Sequence, residues 1–227
     1  MNIDFIFLSK TENIFFKNLL QGALKSLILS NIPSINNFTI NIIESSTKPI
    51  KLDFKHANII NFDKSIFNYN RAINLGLKHC KNDWICICNN DLIFDKNWIS
   101  NIKNIIDKEP DILSISPISP THIKHRNLYN KTTTPIYLEG YTTGLHVCGW
   151  CILVHKSIID KIGTFDETFD FYFQDNDYAE TIKKLNVRHV LATKSVVTHI
   201  QSQSSKKLDK RTKFNTDRLK FSNKWGN

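Results

Sequence analysis

The chain has 227 residues, of which 41% are hydrophobic and 11% aromatic, with only 7 glycines and 6 prolines. This composition excludes collagen-like and disordered proteins, and the length suits one large α/β domain with a substantial core. The formal net charge of +9 favours an anionic partner, which could be nucleic acid, an anionic membrane surface or a phosphorylated small molecule.

The N-terminus and the cysteines predict an intracellular setting. The first residues, Met1 to Asp4, lack a positively charged region and lead into a short strand-like run, so no cleaved signal peptide is expected. Residues 14–32 are apolar but carry polar side chains at helical spacing, which predicts an amphipathic helix instead of a membrane span. Five cysteines, an odd number, favour a reducing compartment. We therefore expect a cytoplasmic protein without a transmembrane span.

Apolar runs typical of buried strands alternate with amphipathic patterns typical of helices. The predicted strands are residues 3–8, 38–43, 57–62, 84–88, 112–118, 147–154, 189–192 and 196–200. The first predicted helix follows a capping box at residues 9–12. Further helices are predicted at residues 67–79, 98–106 and 157–162, and another begins at Asp175. Such alternation predicts parallel pairing with right-handed crossovers. The sequence therefore predicts a single Rossmann-like α/β domain whose central, mostly parallel sheet is flanked by helices.

Two segments depart from this alternation. Residues 121–143 are rich in Thr, His and Lys and poor in large aliphatic side chains, which predicts a long loop or extended hairpin that shapes a substrate site. From Gln201 onward the chain is polar and basic, which predicts a flexible or ligand-ordered tail over residues 201–227.

Polar side chains follow the predicted central strand. The apolar run of residues 84–88 stops abruptly at Asn89, Asn90 and Asp91, and Glu44 likewise follows the second predicted strand. In open α/β sheets, ligands bind in the crevice outside the carboxyl ends of the strands. We therefore expect Asp91 to face a ligand.

Four segments, in this order, resemble the family 2 glycosyltransferases of the GT-A fold. They are AINLG at residues 72–76, NND at 89–91, GWCILVH at 149–155 leading to IGTFDE at 162–167, and FYFQDNDY at 171–178. Their order, spacing and places at strand ends make the combination specific. The resemblance covers most of the chain and implies an inverting transferase with a GT-A-like domain at residues 1–200. Its nucleotide-sugar-binding half is residues 1–118, and its acceptor-side half, with a small antiparallel sheet, is residues 119–200.

The resemblance also implies a divalent metal ion, Mn²⁺ or Mg²⁺. Asp91 matches the family's metal ligand at the donor diphosphate, and His199, after the last strand, completes the site. A metal held by a carboxylate neutralises charge that grows on a leaving phosphate. Asn89 departs from the doubly acidic version of the corner, so we expect water and donor phosphates to supply most of the ligands.

By the same resemblance, Asp175 is the general base that takes the proton of the acceptor hydroxyl as it attacks the anomeric carbon. The family usually has Glu-Asp here, whereas this chain has Gln174 followed by Asp175. The amide of Gln174 leaves the base intact. It puts in doubt any role in acceptor binding, or in tuning the base, that the family's glutamate has at this position. Gln174 and Trp150 are the acceptor-side candidates, since an aromatic plate packs well on the apolar face of a sugar.

The resemblance further implies a nucleotide-sugar donor that is UDP-, GDP- or dTDP-linked. The candidate donor-binding residues are Ser9, Thr11, Glu44, Asn68, Asn74, Asn89 and Asn90. A basic cluster in the tail is a candidate lid over the diphosphate, and it consists of Lys206, Lys207, Lys210 and Arg211. The expected acceptor is a glycan or another molecule with a free hydroxyl group, and nucleic acid is not an expected partner.

Simpler roles exist for several of these residues. Asp91 could cap a turn. Asp175 could stabilise the start of a helix, because a carboxylate interacts favourably with the positive end of the helix dipole. The basic tail could be a solvated chain end. The pair Cys148 and Cys151 has the spacing of a redox or zinc motif, but positions i and i+3 of a strand point to opposite faces, which favours packing. Two further cysteines, at positions 86 and 88, share a face of the central strand and are also expected to pack.

Three other functions stay open. A nucleotidyltransferase usually has a glycine-rich basic loop after its first strand, and Ser9-Lys10-Thr11 has no glycine. A basic nucleic-acid-binding module would suit the net charge of +9, although the chain carries no recognisable motif for one. A degenerate transferase that binds a sugar nucleotide without turnover is suggested by the amides at Asn89 and Gln174.

Overall fold

The computed structural model describes residues 1–30, 37–52, 54–62, 67–129, 131–170, 172–200 and 210–226. Its strands are β1 (Asn2–Ser9), β2 (Asn37–Glu44), β3 (Asn58–Asn61), β4 (Trp84–Cys88), β5 (Leu92–Phe94), β6 (Ile112–Ile118), β7 (Tyr137–Glu139), β8 (Cys151–His155) and β9 (Arg188–His199). Its helices are α1 (Ile14–Leu29), α2 (Tyr69–Leu77), α3 (Trp98–Lys108), α4 (Lys156–Ile162), α5 (Gln174–Lys184) and α6 (Lys210–Trp225).

The strands form one sheet in the order β3-β2-β1-β4-β8-β6-β9-β5, and β7 pairs with β9. The first four strands of this order run parallel. β8 runs antiparallel to both β4 and β6, and β5 and β7 run antiparallel to β9. The predicted α/β architecture is confirmed, and the sheet is mixed beyond β4. The described residues between β6 and β8, 119–129 and 131–150, contain β7 and turns but no crossover helix, so β8 can return antiparallel.

The strands at the centre of the sheet are apolar on both faces because helices cover both faces. In β1, Phe5 and Phe7 belong to one core cluster, while Ile6 and Leu8 belong to the other, as the alternation of side chains along a strand requires. The first cluster includes side chains of α1 and α3, and the second includes side chains of α2, α4 and α5. The domain therefore has three layers, with the sheet in the middle.

The helix ends agree only partly with the sequence patterns. The predicted capping box at residues 9–12 is wrong: Asn13 caps α1, and its side chain accepts a hydrogen bond from the backbone N–H of Phe16 at 3.0 Å. The Ser9 hydroxyl donates to Glu44 instead, because β1 extends to Ser9 and lies beside β2. Gly163 closes α4 with φ +76°, a conformation that glycine adopts without strain, as predicted.

Residues 210–225 form the helix α6, whereas the sequence predicted a flexible or ligand-ordered tail from residue 201 onward. Phe214 and Phe221 of α6 pack against Phe173, with ring centroids 5.2 and 5.3 Å apart. Asp217 is fully buried and accepts hydrogen bonds from the backbone N–H groups of residues 170 and 172, at 3.2 and 2.8 Å. Burial of Phe221 and Asp217 stabilises the helix against the loop before α5. Residues 201–209 lie outside the described residues.

None of the helices in the described part of the chain is both long and apolar enough to cross a membrane.

Candidate active site

The predicted metal ligands lie side by side at the carboxyl end of β4. Asp91 is only 4% exposed, and its backbone carbonyl accepts a hydrogen bond from the N–H of Ile200 at 2.9 Å. Leu92 of β5 pairs with His199, the last residue of β9. These backbone contacts bring the imidazole to the acidic corner, where His199 Nε2 lies 3.2 Å from Asp91 Oδ1. The pairing of β5 with β9 therefore assembles the predicted pair.

The geometry of Asp91 and His199 fits part of a divalent-metal site. Two ligand atoms at right angles, each about 2.1 Å from an octahedral ion, lie about 3.0 Å apart. The observed separation of 3.2 Å is close to this value. Within the described residues, no further His, Cys, Asp or Glu side chain joins the pair to make a group of three ligands. An ion held here would take its other ligands from water or phosphate oxygens, as expected for Mg²⁺ or Mn²⁺.

Trp150 packs on the predicted metal ligand His199. The two rings are stacked, with centroids 5.5 Å apart and planes 19° apart. Trp150 is only 7% exposed, and its Nε1 is buried without a hydrogen-bond partner among the described residues. This contact orients the imidazole beside Asp91. A contact between Trp150 and an acceptor sugar stays a prediction.

Asp175 lies in the first turn of α5, against the backbone of Gly149. Its Oδ1 accepts a hydrogen bond from the N–H of Asn176 at 3.0 Å, and a Cβ atom placed on Gly149 would lie 3.1 Å from its Oδ2. Burial raises the pKa of Asp175, and the Asn176 N–H and the charge of Lys124 offset part of the increase. A carboxyl group whose pKa is raised toward the working pH is suited to accept a proton.

The turn before Asp175 has an uncommon backbone conformation. Phe173 precedes α5 with φ +65°, in the left-handed region, which costs a bulky residue about 1–3 kcal/mol unless the surroundings hold it. The ring contacts with α6 hold it here. Gln174 follows, only 9% exposed, and its Nε2 is buried without a partner among the described residues. Acceptor binding by Gln174 stays a prediction.

Three of the predicted donor-binding residues form one buried cluster at the carboxyl ends of β1 and β2. The Ser9 and Thr11 hydroxyls both donate to Glu44 Oε2 at 2.9 Å. The backbone N–H groups of Thr11 and Ser46 donate to Glu44 Oε1 at 3.0 and 2.7 Å. The pairing of β1 with β2 brings these three residues together. Four internal donors saturate the carboxylate, so the cluster orders the loops, and its contact with a nucleotide stays a prediction.

Two other predicted donor-binding residues tie α2 to the loop that follows α4. Asn68 caps α2 by accepting from the N–H of residue 71 at 2.9 Å, and its amide donates to the carbonyls of Glu167 and Phe169 at 2.9 and 3.0 Å. Asn74 both donates to and accepts from the backbone of Phe165, at 2.9 Å each. These bonds give both amides a structural role, and their contact with a donor stays a prediction.

The corner residues Asn89 and Asn90 precede Asp91 as the sequence requires, and Asn90 is only 6% exposed. The backbone N–H of Asn89 donates to the carbonyl of Trp150 at 3.0 Å, which joins the corner to the turn before β8. The side-chain oxygen of Asn89 lies 3.4 Å from the hydroxyl oxygen of Tyr69.

The predicted basic lid is only partly described. Lys206 and Lys207 lie outside the described residues. Lys210 begins α6, and Arg211 follows in its first turn with an exposed side chain. The role of these residues at a diphosphate stays a prediction.

Three of the cysteines pack together in the core. Cys86 Sγ lies 3.5 Å from Cys88 Sγ and 3.9 Å from Cys151 Sγ, and these thiols form the one group of three potential metal ligands among the described residues. All three are completely buried among apolar side chains. The prediction that Cys86 and Cys88 share a face is confirmed.

Sequence reasoning missed Tyr69, Gly149 and the helix α6. Tyr69 carried no pattern beyond its place at the start of a predicted helix. Phe214, Phe221 and Trp225 stand at i, i+7 and i+11, which is the spacing of a helical stripe, but the surrounding lysines and arginines obscured it.

A mixed sheet covered by helices on both faces, with an acidic corner after its central strand, is the architecture of GT-A glycosyltransferases. The chain belongs to glycosyl transferase family 2, whose model matches residues 19–163, more than half of the 227 residues. Asp91 lies inside the matched range, and Asp175 and His199 follow it.

Solved glycosyltransferase structures share this fold. GalNAc-T7 with UDP, GalNAc and Mn²⁺ has a TM-score of 0.70 at 12% identity, over 89% of this chain and 44% of its own. The mannosyltransferase PcManGT from Pyrobaculum calidifontis, with GDP-Man and Mn²⁺, has a TM-score of 0.63 at 12% identity. The match covers 89% of this chain and 58% of the mannosyltransferase chain. S. aureus TarS with UDP-GlcNAc has a TM-score of 0.61 at 13% identity, and the match covers 96% of this chain and 65% of the TarS chain. The chain thus spans about half to two thirds of these structures' lengths. No curated protein matches the sequence.

Proposed function

We propose that the chain is a metal-dependent, inverting glycosyltransferase that moves a sugar from a nucleotide-diphosphate sugar to a hydroxyl group of a glycan, polysaccharide or glycoprotein. The observation that carries this proposal is the pair of Asp91 and His199, 3.2 Å apart at the carboxyl end of the central strand. Asp175, a carboxyl group whose pKa burial raises, lies in the same region against the turn before β8. A carboxylate beside an imidazole, and a nearby carboxyl group with a raised pKa, are the observations that support metal binding and proton transfer here.

The donor proposal follows from the ligands of the similar structures, which hold UDP with GalNAc, UDP-GlcNAc or GDP-Man, two of them with Mn²⁺. We extend this to a UDP-, GDP- or dTDP-sugar here, with Mn²⁺ or Mg²⁺ held by Asp91 and His199. A divalent ion in this position supplies positive charge that stabilises the leaving diphosphate. The donor's nucleotide would lie at residues 1–118, and the acceptor would approach residues 119–200.

The chain's own groups support a direct displacement. The acceptor oxygen forms a bond to the anomeric carbon while the bond from that carbon to the diphosphate oxygen breaks, and the configuration inverts. Asp175 Oδ1 is engaged by the N–H of Asn176, which leaves Oδ2 to take the acceptor's proton. His199 is oriented by Trp150 and by its backbone N–H, which donates to the Ser119 hydroxyl at 3.0 Å.

We also propose that the protein works in the cytoplasm, since all five of its cysteines are free thiols, as a reducing compartment would maintain.

The first test measures the thermal midpoint of the protein with UDP-, GDP-, dTDP- and CMP-sugars, each with Mn²⁺, Mg²⁺ or EDTA. A ligand that binds the native state raises the midpoint. We expect one nucleotide class to raise it only with metal, and Asp91→Asn to abolish the increase. The matched control is Asp95→Asn, an exposed aspartate near the same corner, which should respond like the wild type.

The second test measures transfer. With the donor identified, an acceptor library read by mass spectrometry should yield a product whose anomeric configuration, read by NMR, is opposite to that of the donor. Asp175→Asn should bind the donor and lose transfer. Donor binding without any product would identify a non-catalytic sugar-nucleotide binder. A midpoint raised only by nucleic acid at low salt would replace the transferase with a basic binding module.

A further inference from the structure

The backbone of Gly149 forms a contact surface for the carboxylate of Asp175. A Cβ atom on Gly149 would lie 3.0 Å from Asp175 Cβ, 3.3 Å from Cγ and 3.1 Å from Oδ2. Gly149 is not among the described glycines with positive φ, so its backbone conformation does not require glycine. An added side chain would make a contact tighter than ordinary packing, so the carboxylate or the turn would have to shift by a few tenths of an ångström.

The hydroxyl of Tyr69 holds this surface in place. Tyr69 lies in the first turn of α2, and its OH donates to the carbonyl oxygen of Gly149 at 2.8 Å. The next carbonyl, that of Trp150, accepts from the N–H of Asn89 at 3.0 Å. Two successive carbonyls of the turn are therefore tied, one to α2 and one to the acidic corner. Burial, and then the charge of Asp175, raises the pKa of Tyr69, so the hydroxyl keeps its proton and remains a donor.

We propose that Tyr69 is a positioning residue for the base: its hydroxyl fixes the Gly149 peptide, and that peptide sets the direction of Asp175 Oδ2. This inference rests on the proposed role of Asp175. One oxygen of the carboxylate is held by the N–H of Asn176 at 3.0 Å, and the other faces the peptide at Gly149, where an added Cβ atom would lie 3.1 Å from it. A displacement of about 1 Å at a reacting group can reduce a rate by about 100-fold.

The test uses two substitutions with matched controls. Tyr69→Phe removes the hydroxyl and keeps the ring, and its control is Tyr141→Phe, which removes a hydroxyl that donates to the carbonyl of Val187 at 2.8 Å. Gly149→Ala adds the clashing methyl group, and its control is Gly22→Ala, where an added Cβ has nothing within 4 Å. We expect each test variant to lower kcat by about 10- to 100-fold with an unchanged donor Kd, and each control to retain wild-type values.

Two further measurements separate positioning from a general loss of structure. In the Asp175→Asn background, Tyr69→Phe should leave the residual rate unchanged, because residues that act through one group are not additive. The pKa of Asp175, followed by carboxyl-carbon NMR with Asp175→Asn for assignment, should fall toward its ordinary value in Tyr69→Phe and Gly149→Ala, because a displaced carboxylate is better solvated.

The NMR titration needs no turnover, so it decides the proposal even if the protein transfers no sugar. An Asp175 pKa that is the same in Tyr69→Phe, Tyr141→Phe and wild type would overturn the positioning role. An active wild type with an undiminished kcat in Tyr69→Phe would overturn it as well and leave the proposed function intact. A wild type that binds no donor and transfers no sugar would refute the proposed function instead.

Discussion

Acid should destabilise this protein through His189, a fully buried imidazole of β9. Its Nδ1 lies 2.7 Å from the Ser114 hydroxyl, and its Nε2 lies 2.9 Å from the carbonyl of His146. A neutral ring that accepts from Ser114 and donates to His146 satisfies both contacts. Burial lowers the pKa of His189 to about 4, from an ordinary value of 6.5. The folded protein therefore resists protonation over a range in which the unfolded chain accepts a proton.

This difference sets the direction and the size of the effect. Below about pH 6.5 the unfolded state binds a proton that the folded state does not bind until about pH 4, so the free energy of unfolding falls as the pH drops through this window. Each pH unit corresponds to about 1.4 kcal/mol, which gives a loss of about 3 kcal/mol across the window. Above about pH 6.5 the contribution of His189 is constant.

Urea unfolding between about pH 7.5 and 4.5 measures this loss. His189→Asn retains a donor and an acceptor but cannot titrate. Over this pH range its free energy of unfolding should therefore fall by about 3 kcal/mol less than that of the wild type. The control His79→Asn replaces an exposed histidine and should keep the wild-type pH dependence. If His189→Asn and the wild type lose the same stability on acidification, burial of this imidazole does not cause the acid sensitivity.

Three further predictions concern the contacts that hold the loops of the site. Glu44→Gln should lower the free energy of unfolding, measured in urea, by about 3 kcal/mol, because an amide cannot accept from all four donors. An unchanged free energy of unfolding would contradict the role of Glu44 in ordering the loops. Asn74→Ala should speed amide hydrogen exchange at Phe165, whose N–H it binds at 2.9 Å; equal protection would show that other contacts hold the loop. Trp225→Phe should cost about 1 kcal/mol in thermal unfolding, since its Nε1 donates to Asp177 at 2.8 Å, and no change would mean that this hydrogen bond does not stabilise α6.

Much of the chain's secondary structure was predictable because it depends on local patterns. The apolar run Trp84–Cys88 is a buried strand, and the amphipathic residues 98–108 are a helix, as their periodicity indicates. The family resemblance named Asp91 and Asp175 from its motifs and His199 from its place after the last strand, and their roles stay predictions. It did not predict that Asn68 and Asn74 would be engaged by the backbone of residues 165–169, because those partners are distant in sequence.

The errors in the prediction also have physical causes. The two predicted strands at residues 189–192 and 196–200 form the single strand β9, which crosses a register shift against β6 between Pro117 and Ile118. Periodicity breaks at such an irregularity even where the strand continues. The tail was predicted to be flexible because its charge is high, yet the burial of Phe221 and Asp217 against the loop before α5 stabilises α6.

The sequence by itself determined the strands, most of the helices and the residue types available at each strand end, because these follow from side-chain periodicity and local backbone preference. Only the tertiary structure decided which of those ends meet. Strand order brings His199 to Asp91, and the turn before β8 brings Gly149 to Asp175. The physical reason is that sheet pairing joins segments far apart in the chain, and its free energy depends on how all of the strands and helices pack together.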